Sequence, residues 1–146
     1  MPSVYPITFF APERQRNYPH MAKRDVALWE RFLDAHGARF ISVSYDVALG
    51  GTKLQVPDDD PETARGWQYN TALKIDAIGW QTNQAWLIEV RPEATVSAYG
   101  SAVVYTLVAR REAITQLPIV PTIVCEAIQP DVAWACEMTG INVVRV

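Results

Sequence analysis

Three charged residues, Asp76, Glu89 and Arg91, lie in two strand-like runs around a polar turn, in the stretch KIDAIGWQTNQAWLIEVRP of residues 74–92. Side chains at positions i and i+2 of a strand share a face, so Glu89 and Arg91 should point the same way. If Asp76 faces them from the neighbouring strand, the two carboxylates are the kind of ligand that Mg²⁺ prefers. A bound ion would polarise a phosphate and help to generate hydroxide.

The cation of this group is the residue least suited to such chemistry. A guanidinium keeps its proton at any working pH, so Arg91 can contact a phosphate but is a poor general base. Lys74, two residues before Asp76 on the same strand, is a candidate for supplying an amine instead, and Glu30 is a candidate for a further carboxylate. The alternative interpretation is a structural ion pair between Arg91 and one of the acids, which contributes on the order of 0 to 1 kcal/mol when exposed.

Hydrophobic periodicity and turn residues predict the elements that position these side chains. They are a helix over 22–36, a strand within 38–51, a hairpin with strands at about 71–80 and 85–91 and a turn at 81–84, a helix over 96–112 with Ser97 as N-cap, and a strand, helix, strand tail from 117 to 146. Residues 50–70 are polar and without a period, which predicts a long loop or an irregular hairpin extension.

Strict alternation in the first strand predicts one buried face, formed by Ile41, Val43, Tyr45, Val47 and Leu49. The closing strand, helix, strand unit requires a right-handed parallel crossover, whereas the hairpin supplies antiparallel pairs. The predicted fold class is therefore α/β, with a mixed β-sheet flanked by helices.

This order of elements, together with Asp76 and the triplet Glu89-Val90-Arg91, resembles the PD-(D/E)XK nuclease-like superfamily, the fold of restriction endonucleases. The resemblance covers residues 22–146 and implies a core of the order α-β-β-β-α-β-α-β. In that family an Asp opens the second core strand and an acidic-x-Lys triplet lies on the third. The resemblance implies Asp76 and Glu89 as magnesium ligands if the protein is active, with Arg91 in place of the family's lysine.

Residues 1–21 form a predicted extended N-terminal arm, and residues 22–146 a single domain. The arm combines four prolines with aromatic side chains, a composition that resists helix yet needs burial, on its own domain or on a neighbour. Candidate partner-binding residues are three aromatic side chains of the arm and one of the 50–70 segment, namely Tyr5, Phe9, Phe10 and Trp67. The two cysteines, Cys125 and Cys136, are expected to be buried thiols, because no metal-binding spacing surrounds them.

A net charge of −3 and a pI near 5.3 give no general attraction to a phosphate backbone, so DNA binding would need a local basic patch. Four basic residues are candidates for such a patch: Lys53, Arg65, Arg110 and Arg111. No stretch has the composition of a membrane span or a signal peptide, which predicts a cytoplasmic protein or one incorporated into a virion made in the cytoplasm.

Three functional hypotheses follow. The first is a catalytically degenerate nuclease fold that acts as a structural or docking component of a larger assembly, a homo-oligomer such as the neck or connector of a phage particle, with no cofactor. The second is an Mg²⁺-dependent DNA nuclease that uses Asp76 and Glu89. The third is a nonenzymatic binding module of bacterial regulation on the same fold, which fold-level analogy does not separate from the first.

Overall fold

The computed structural model describes residues 6–51 and 61–146. Tyr5, Lys53 and the acidic run 58–60 lie outside these ranges. The elements are, in chain order, α1 (Lys23–His36) with a short 3₁₀ turn (Gly37–Arg39), β1 (Ser42–Leu49), α2 (Pro61–Thr71), β2 (Leu73–Trp80), β3 (Ala85–Val90), β4 (Glu93–Ala94), α3 (Val96–Arg111), β5 (Ile119–Cys125), β6 (Ala127–Ile128), α4 (Pro130–Thr139) and β7 (Asn142–Arg145).

The main sheet has five strands in the order β1-β2-β3-β5-β7. β1, β2 and β3 pair antiparallel, whereas β3, β5 and β7 pair parallel. Strands β4 and β6 form a separate two-stranded parallel ladder. The predicted α/β class and the mixed sheet flanked by helices are confirmed, and so is the hairpin with its turn at 81–84.

Helices cover both faces of this sheet. On one face, α1 buries an aromatic and aliphatic cluster that includes Trp29, Phe32, Ile88 and Val124. On the other face, α3 and α4 pack on two further clusters, one around Ile123 and Cys136 and one around Ile75 and Leu87. The central strand β3 is buried along its whole length, which explains why its sequence reads as a nearly continuous apolar run.

The prediction of a long loop or an irregular hairpin extension is wrong for residues 61–70, because α2 occupies Pro61–Thr71, and residues 52–60 lie outside the described ranges. No residue of α2 is buried. A helix that buries no face has no apolar stripe, so its sequence lacks the period by which helices are recognised. Pro61, at its first position, is a residue that helix starts tolerate well.

The N-cap predicted for α3 is also wrong. The helix begins at Val96, one residue before Ser97, and its N-cap position is Thr95, which makes no side-chain capping hydrogen bond. α3 is less buried than its apolar sequence predicts, since Val104 and Leu107 face away from the sheet.

The described part of the predicted arm, residues 6–21, lies on its own domain. Phe10 and Val43 exchange two backbone hydrogen bonds, both of 2.8 Å, so the arm forms a bridge to the outer strand β1. Tyr18 is buried and belongs to the core cluster under α1. This segment packs in cis and contributes to the core.

Cys125 and Cys136 are buried free thiols, as predicted. Within residues 6–51 and 61–146, no helix has the length and apolar character needed to cross a bilayer.

Candidate functional site

Asp76 and Glu89 stand next to each other where the β2–β3 ladder ends. The last paired residues at that end are Ala77 and Ile88, so Asp76 and Glu89 occupy the next positions along the two strands. The Val90 N–H donates a hydrogen bond to Asp76 Oδ2 at 2.8 Å. The Asp76 carboxylate thus replaces a backbone acceptor, which keeps the strands together one residue beyond the ladder.

Arg91 closes over Glu89. Its Nε and Nη2 both donate to Glu89 Oε1, at 2.9 Å and 2.6 Å. The Glu89 side chain is 3% exposed and that of Arg91 39% exposed, so the carboxylate is inside the protein and the cation lies at its border. The second oxygen, Glu89 Oε2, is buried and has no hydrogen-bond partner among the described residues.

Burial raises the pKa of both acids. The pKa of Asp76 rises to about 6, mainly through loss of hydration, although the hydrogen bond from Val90 opposes the shift. The pKa of Glu89 rises to about 7, first through burial and then through the negative charge of Asp76, with Arg91 opposing. One guanidinium beside two buried carboxylates leaves the pair inclined to keep a proton near neutral pH.

The free energy of unfolding should therefore fall as the pH rises from about 4 to about 7. The unfolded chain releases these protons near the ordinary carboxyl pKa values, whereas the folded protein holds them to about 6 at Asp76 and about 7 at Glu89. Raising the pH through this window favours the state that has already lost its protons, which is the unfolded one. We expect a loss on the order of 4 kcal/mol between pH 5 and pH 8 in urea unfolding.

The variant Glu89→Gln tests the cause, because an amide does not ionise and should remove the larger part of this pH dependence, leaving the share of Asp76. Glu137→Gln, which removes an exposed carboxylate from α4, is the matched control and should leave the slope unchanged. A Glu89→Gln protein with the slope of the parent would show that the pH dependence arises elsewhere.

The other predicted members of the site lie elsewhere. Lys74 Nζ donates to the Tyr69 carbonyl oxygen at 2.9 Å and lies 4.4 Å from the centroid of the Tyr69 ring. The amine is therefore held by α2, and the prediction that Lys74 substitutes for the family's lysine has no support from this geometry. Glu30 lies 3.8 Å from Arg14 of the arm, in a partly exposed ion pair.

One oxygen of each carboxylate already accepts hydrogen bonds within the protein, whereas Glu89 Oε2 has no partner among the described residues. The Oε1 atom of Glu89 is taken by two guanidinium N–H groups and Asp76 Oδ2 by a backbone N–H. The Arg91 guanidinium is a fixed positive charge in contact with Glu89, and it would repel a cation bound to the same carboxylate. Among the described residues, no three His, Cys, Asp or Glu side chains are grouped so as to hold a metal. Arg91 is the cation that contacts Glu89 in the described part of the chain.

A residue that the sequence did not single out, Asp46, lies opposite Asp76 on the outer strand. The β1–β2 register pairs Tyr45 with Ala77 and Val47 with Ile75 but skips Asp46 and Asp76 between them. Asp46 has a left-handed backbone, with φ of 49°. Its Oδ2 accepts a hydrogen bond from the Tyr69 hydroxyl at 2.9 Å and lies 3.3 Å from His20 Nε2.

The alternation predicted for β1 fails at this point. Val43 belongs to the cluster under α1, whereas Val47 and Leu49 belong to the cluster under α3. Ser44, predicted to face solvent, is fully buried, and Ile41, predicted to be buried, is 63% exposed. The distortion at Asp46 changes which face the following side chains meet, and a period-two pattern does not contain that information.

Three of the four predicted partner-binding residues lie in the described part of the chain, and all three are partly exposed. Phe9 is 59%, Phe10 38% and Trp67 49% exposed. Phe9 contacts the ring of Trp80 and Phe10 that of Tyr45, with ring centroids 5.5 Å and 5.8 Å apart. Each of these side chains of the arm thus has one face on its own domain.

Of the four basic candidates, Arg65, Arg110 and Arg111 lie in the described part of the chain and Lys53 does not. Arg110 donates to the Ile119 carbonyl oxygen, and Arg111 pairs with the neighbouring Glu112. Arg65 lies on α2, a different element. The described residues therefore give no common basic surface around Asp76 and Glu89.

No family model matches this chain, and comparisons with curated proteins and with solved structures give no match either.

Proposed function

We propose that this chain is a catalytically degenerate domain of the PD-(D/E)XK nuclease-like type, which serves as a structural or docking component of an assembly built from copies of itself. The observation that carries the proposal is the contact of the Arg91 guanidinium with Glu89 Oε1. A nuclease of this type needs that carboxylate for its metal, and here it is neutralised from within the protein.

The order of the elements supports the nuclease-like part of the proposal. Apart from α2 and the short strands β4 and β6, the elements follow the core order α-β-β-β-α-β-α-β. Asp76 and Glu89 lie on the second and third of the long strands, the positions at which that family carries its acids. The phage neck or connector as the assembly rests on the sequence interpretation alone.

The position of the arm supports the loss of catalysis. Asp76 lines a cleft whose other walls include residues 6–8 and 17–21 of the arm. A phosphate approaching Asp76 from this side would meet the arm, which is fixed to β1 through the Phe10–Val43 bridge. Duplex DNA would have to displace it.

Exposed apolar side chains on α3 and α4 support the docking part. Val104 and Leu107 lie on the outward side of α3, and Trp134 and Met138 on that of α4, each between 48% and 64% exposed. The two helices pack side by side on the same face of the sheet. Large apolar side chains that face away from the core of a domain are typical of protein interfaces.

A DNA cleavage assay tests the loss of catalysis. The purified protein should cleave neither supercoiled nor linear DNA in Mg²⁺ or Mn²⁺, because Glu89 already binds Arg91. The variant Arg91→Lys, which restores the family's lysine, is assayed beside the parent, and Asp76→Asn is the control. Metal-dependent cleavage by the parent that disappears in Asp76→Asn would overturn the proposal in favour of a DNA nuclease.

Sedimentation analysis tests the docking part. The parent should form a discrete oligomer, and the double variant Trp134→Ser, Met138→Ser should weaken it at least tenfold in dissociation constant. Ile41→Ser, which changes an exposed apolar side chain beside the outer strand β1, is the matched control. A parent that stays monomeric at all concentrations would overturn self-assembly as the function.

A further inference from the structure

A cleft of about 570 Å³ lies between the arm, β1 and α2. We call it the arm cleft. The lining residues that matter for its chemistry are four aromatic rings and two carboxylates, namely Phe10, Tyr18, Tyr45, Tyr69, Asp46 and Asp76. A cavity of this size accommodates a small ligand or one long side chain.

The charge of the lining has one sign. Asp46 and Asp76 bring two carboxylates, and among the described lining residues there is neither a lysine nor an arginine. His20 is the basic group of the lining, and its ring, 60% exposed, already contacts Asp46.

Carboxylates surrounded by aromatic rings favour a cation with apolar surface. The face of a tyrosine or phenylalanine ring attracts an ammonium group, and a nearby carboxylate adds a charge-assisted hydrogen bond. One ring of the cleft already makes such a contact, because Lys74 Nζ lies 4.4 Å from the centroid of Tyr69.

Asp46 is held in a conformation that costs energy. Its φ of 49° is the left-handed region, which residues other than glycine seldom occupy. The contacts from Tyr69 and His20 both go to Oδ2, so a ligand would be received by Oδ1. Strained backbone that the surrounding contacts hold in place is found preferentially at binding sites.

We propose that the arm cleft binds a primary organic ammonium ion, with the charged group at Asp46 and the aliphatic chain between the tyrosine rings. The same chemistry is offered by a free aliphatic diamine and by a lysine side chain of another protein. This proposal does not rest on the proposed function, because it uses neither the Arg91–Glu89 contact nor the exposed faces of α3 and α4.

The test is a titration of the full chain, followed by calorimetry and by amide chemical shifts, with three probes of similar length. These are 1,4-diaminobutane, a lysine blocked at both backbone ends, and pentanol as the neutral analogue. We expect saturable binding of the amines, with shift changes at Asp46 and Tyr69, and at least tenfold weaker binding of pentanol. Tighter binding of the diamine supports a free amine as the ligand, and tighter binding of the blocked lysine supports a side chain.

Two charge-matched variants decide whether Asp46 is responsible. Asp46→Asn keeps a residue type that tolerates the left-handed backbone and should weaken amine binding at least tenfold. Asp131→Asn removes an exposed carboxylate on α4, outside the cleft, and should change it less than twofold. Tyr69→Phe retains the ring and should cost only a few-fold. No saturable binding of either amine, or equal binding by a folded Asp46→Asn protein, would overturn the proposal.

Discussion

Replacing Arg91 by methionine should lower the free energy of unfolding by about 3 kcal/mol near pH 8. A methionine side chain is about as long as the aliphatic part of arginine, but it lacks the two N–H groups that donate hydrogen bonds to Glu89 Oε1. The buried Glu89 carboxylate would then face Asp76 without a compensating cation. Because Arg91 is partly exposed, we expect a loss at the low end of the range for broken buried ion pairs.

The pH dependence of this loss distinguishes charge from packing. Near pH 5 Glu89, with its pKa raised to about 7, is protonated and no longer needs the cation, so Arg91→Met should cost less than about 1 kcal/mol there. Adding Glu89→Gln should recover most of the loss near pH 8, and urea unfolding of the four proteins gives the coupling energy. Arg111→Met, which breaks the more exposed pair with Glu112, is the control and should change stability by less than about 1 kcal/mol.

A loss for Arg91→Met that is equal at both pH values and unaffected by Glu89→Gln would assign the role of Arg91 to packing. The positive charge of Arg91, at the position of the family's lysine, would then not stabilise this protein.

Truncation of Trp29 and of Trp67 to alanine should have very different effects on stability. Trp29 of α1 is fully buried, stacks on Phe32 with ring centroids 5.0 Å apart and donates from Nε1 to the Tyr45 hydroxyl at 3.0 Å. Trp29→Ala should cost about 4 kcal/mol, since it opens a large cavity and leaves a part-buried hydroxyl without its donor.

Trp67→Ala on α2 should leave stability within about 0.5 kcal/mol, because half of that side chain is already exposed. Denaturant unfolding followed by circular dichroism measures both. A large loss for Trp67→Ala would mean that α2 is anchored through this ring, and the prediction of Trp67 as a partner contact would lose its main ground.

The elements with a buried face could be predicted from the sequence. Apolar periodicity located α1 and α3 within one or two residues, and the alternating runs around residues 81–84 gave the β2–β3 hairpin. These patterns persist because each element must bury one face, and burial leaves its period in the sequence.

The parts that could not be predicted depend on geometry without such a period. α2 buries no residue, so it was missed, and with it Tyr69, which holds Lys74 and contacts Asp46. Asp46 was missed as a residue of the arm cleft because its position depends on its left-handed backbone, which no local pattern of apolar residues encodes. Asp76, Glu89 and Arg91 lie next to one another in the structure, but which carboxylate the guanidinium contacts depends on how β2 and β3 separate at their ends.

The bridge between Phe10 and Val43 has a consequence for aggregation. β1 is an outer strand of the sheet, and an outer strand with free N–H and C=O groups invites edge-to-edge growth with another molecule. The arm satisfies Val43 from within the chain, and the left-handed Asp46 breaks the line of backbone groups three residues further on. Removal of the arm by a protease would therefore expose the edge of β1. The truncated protein would then be prone to edge-to-edge sheet polymerisation, from which the arm protects the intact chain.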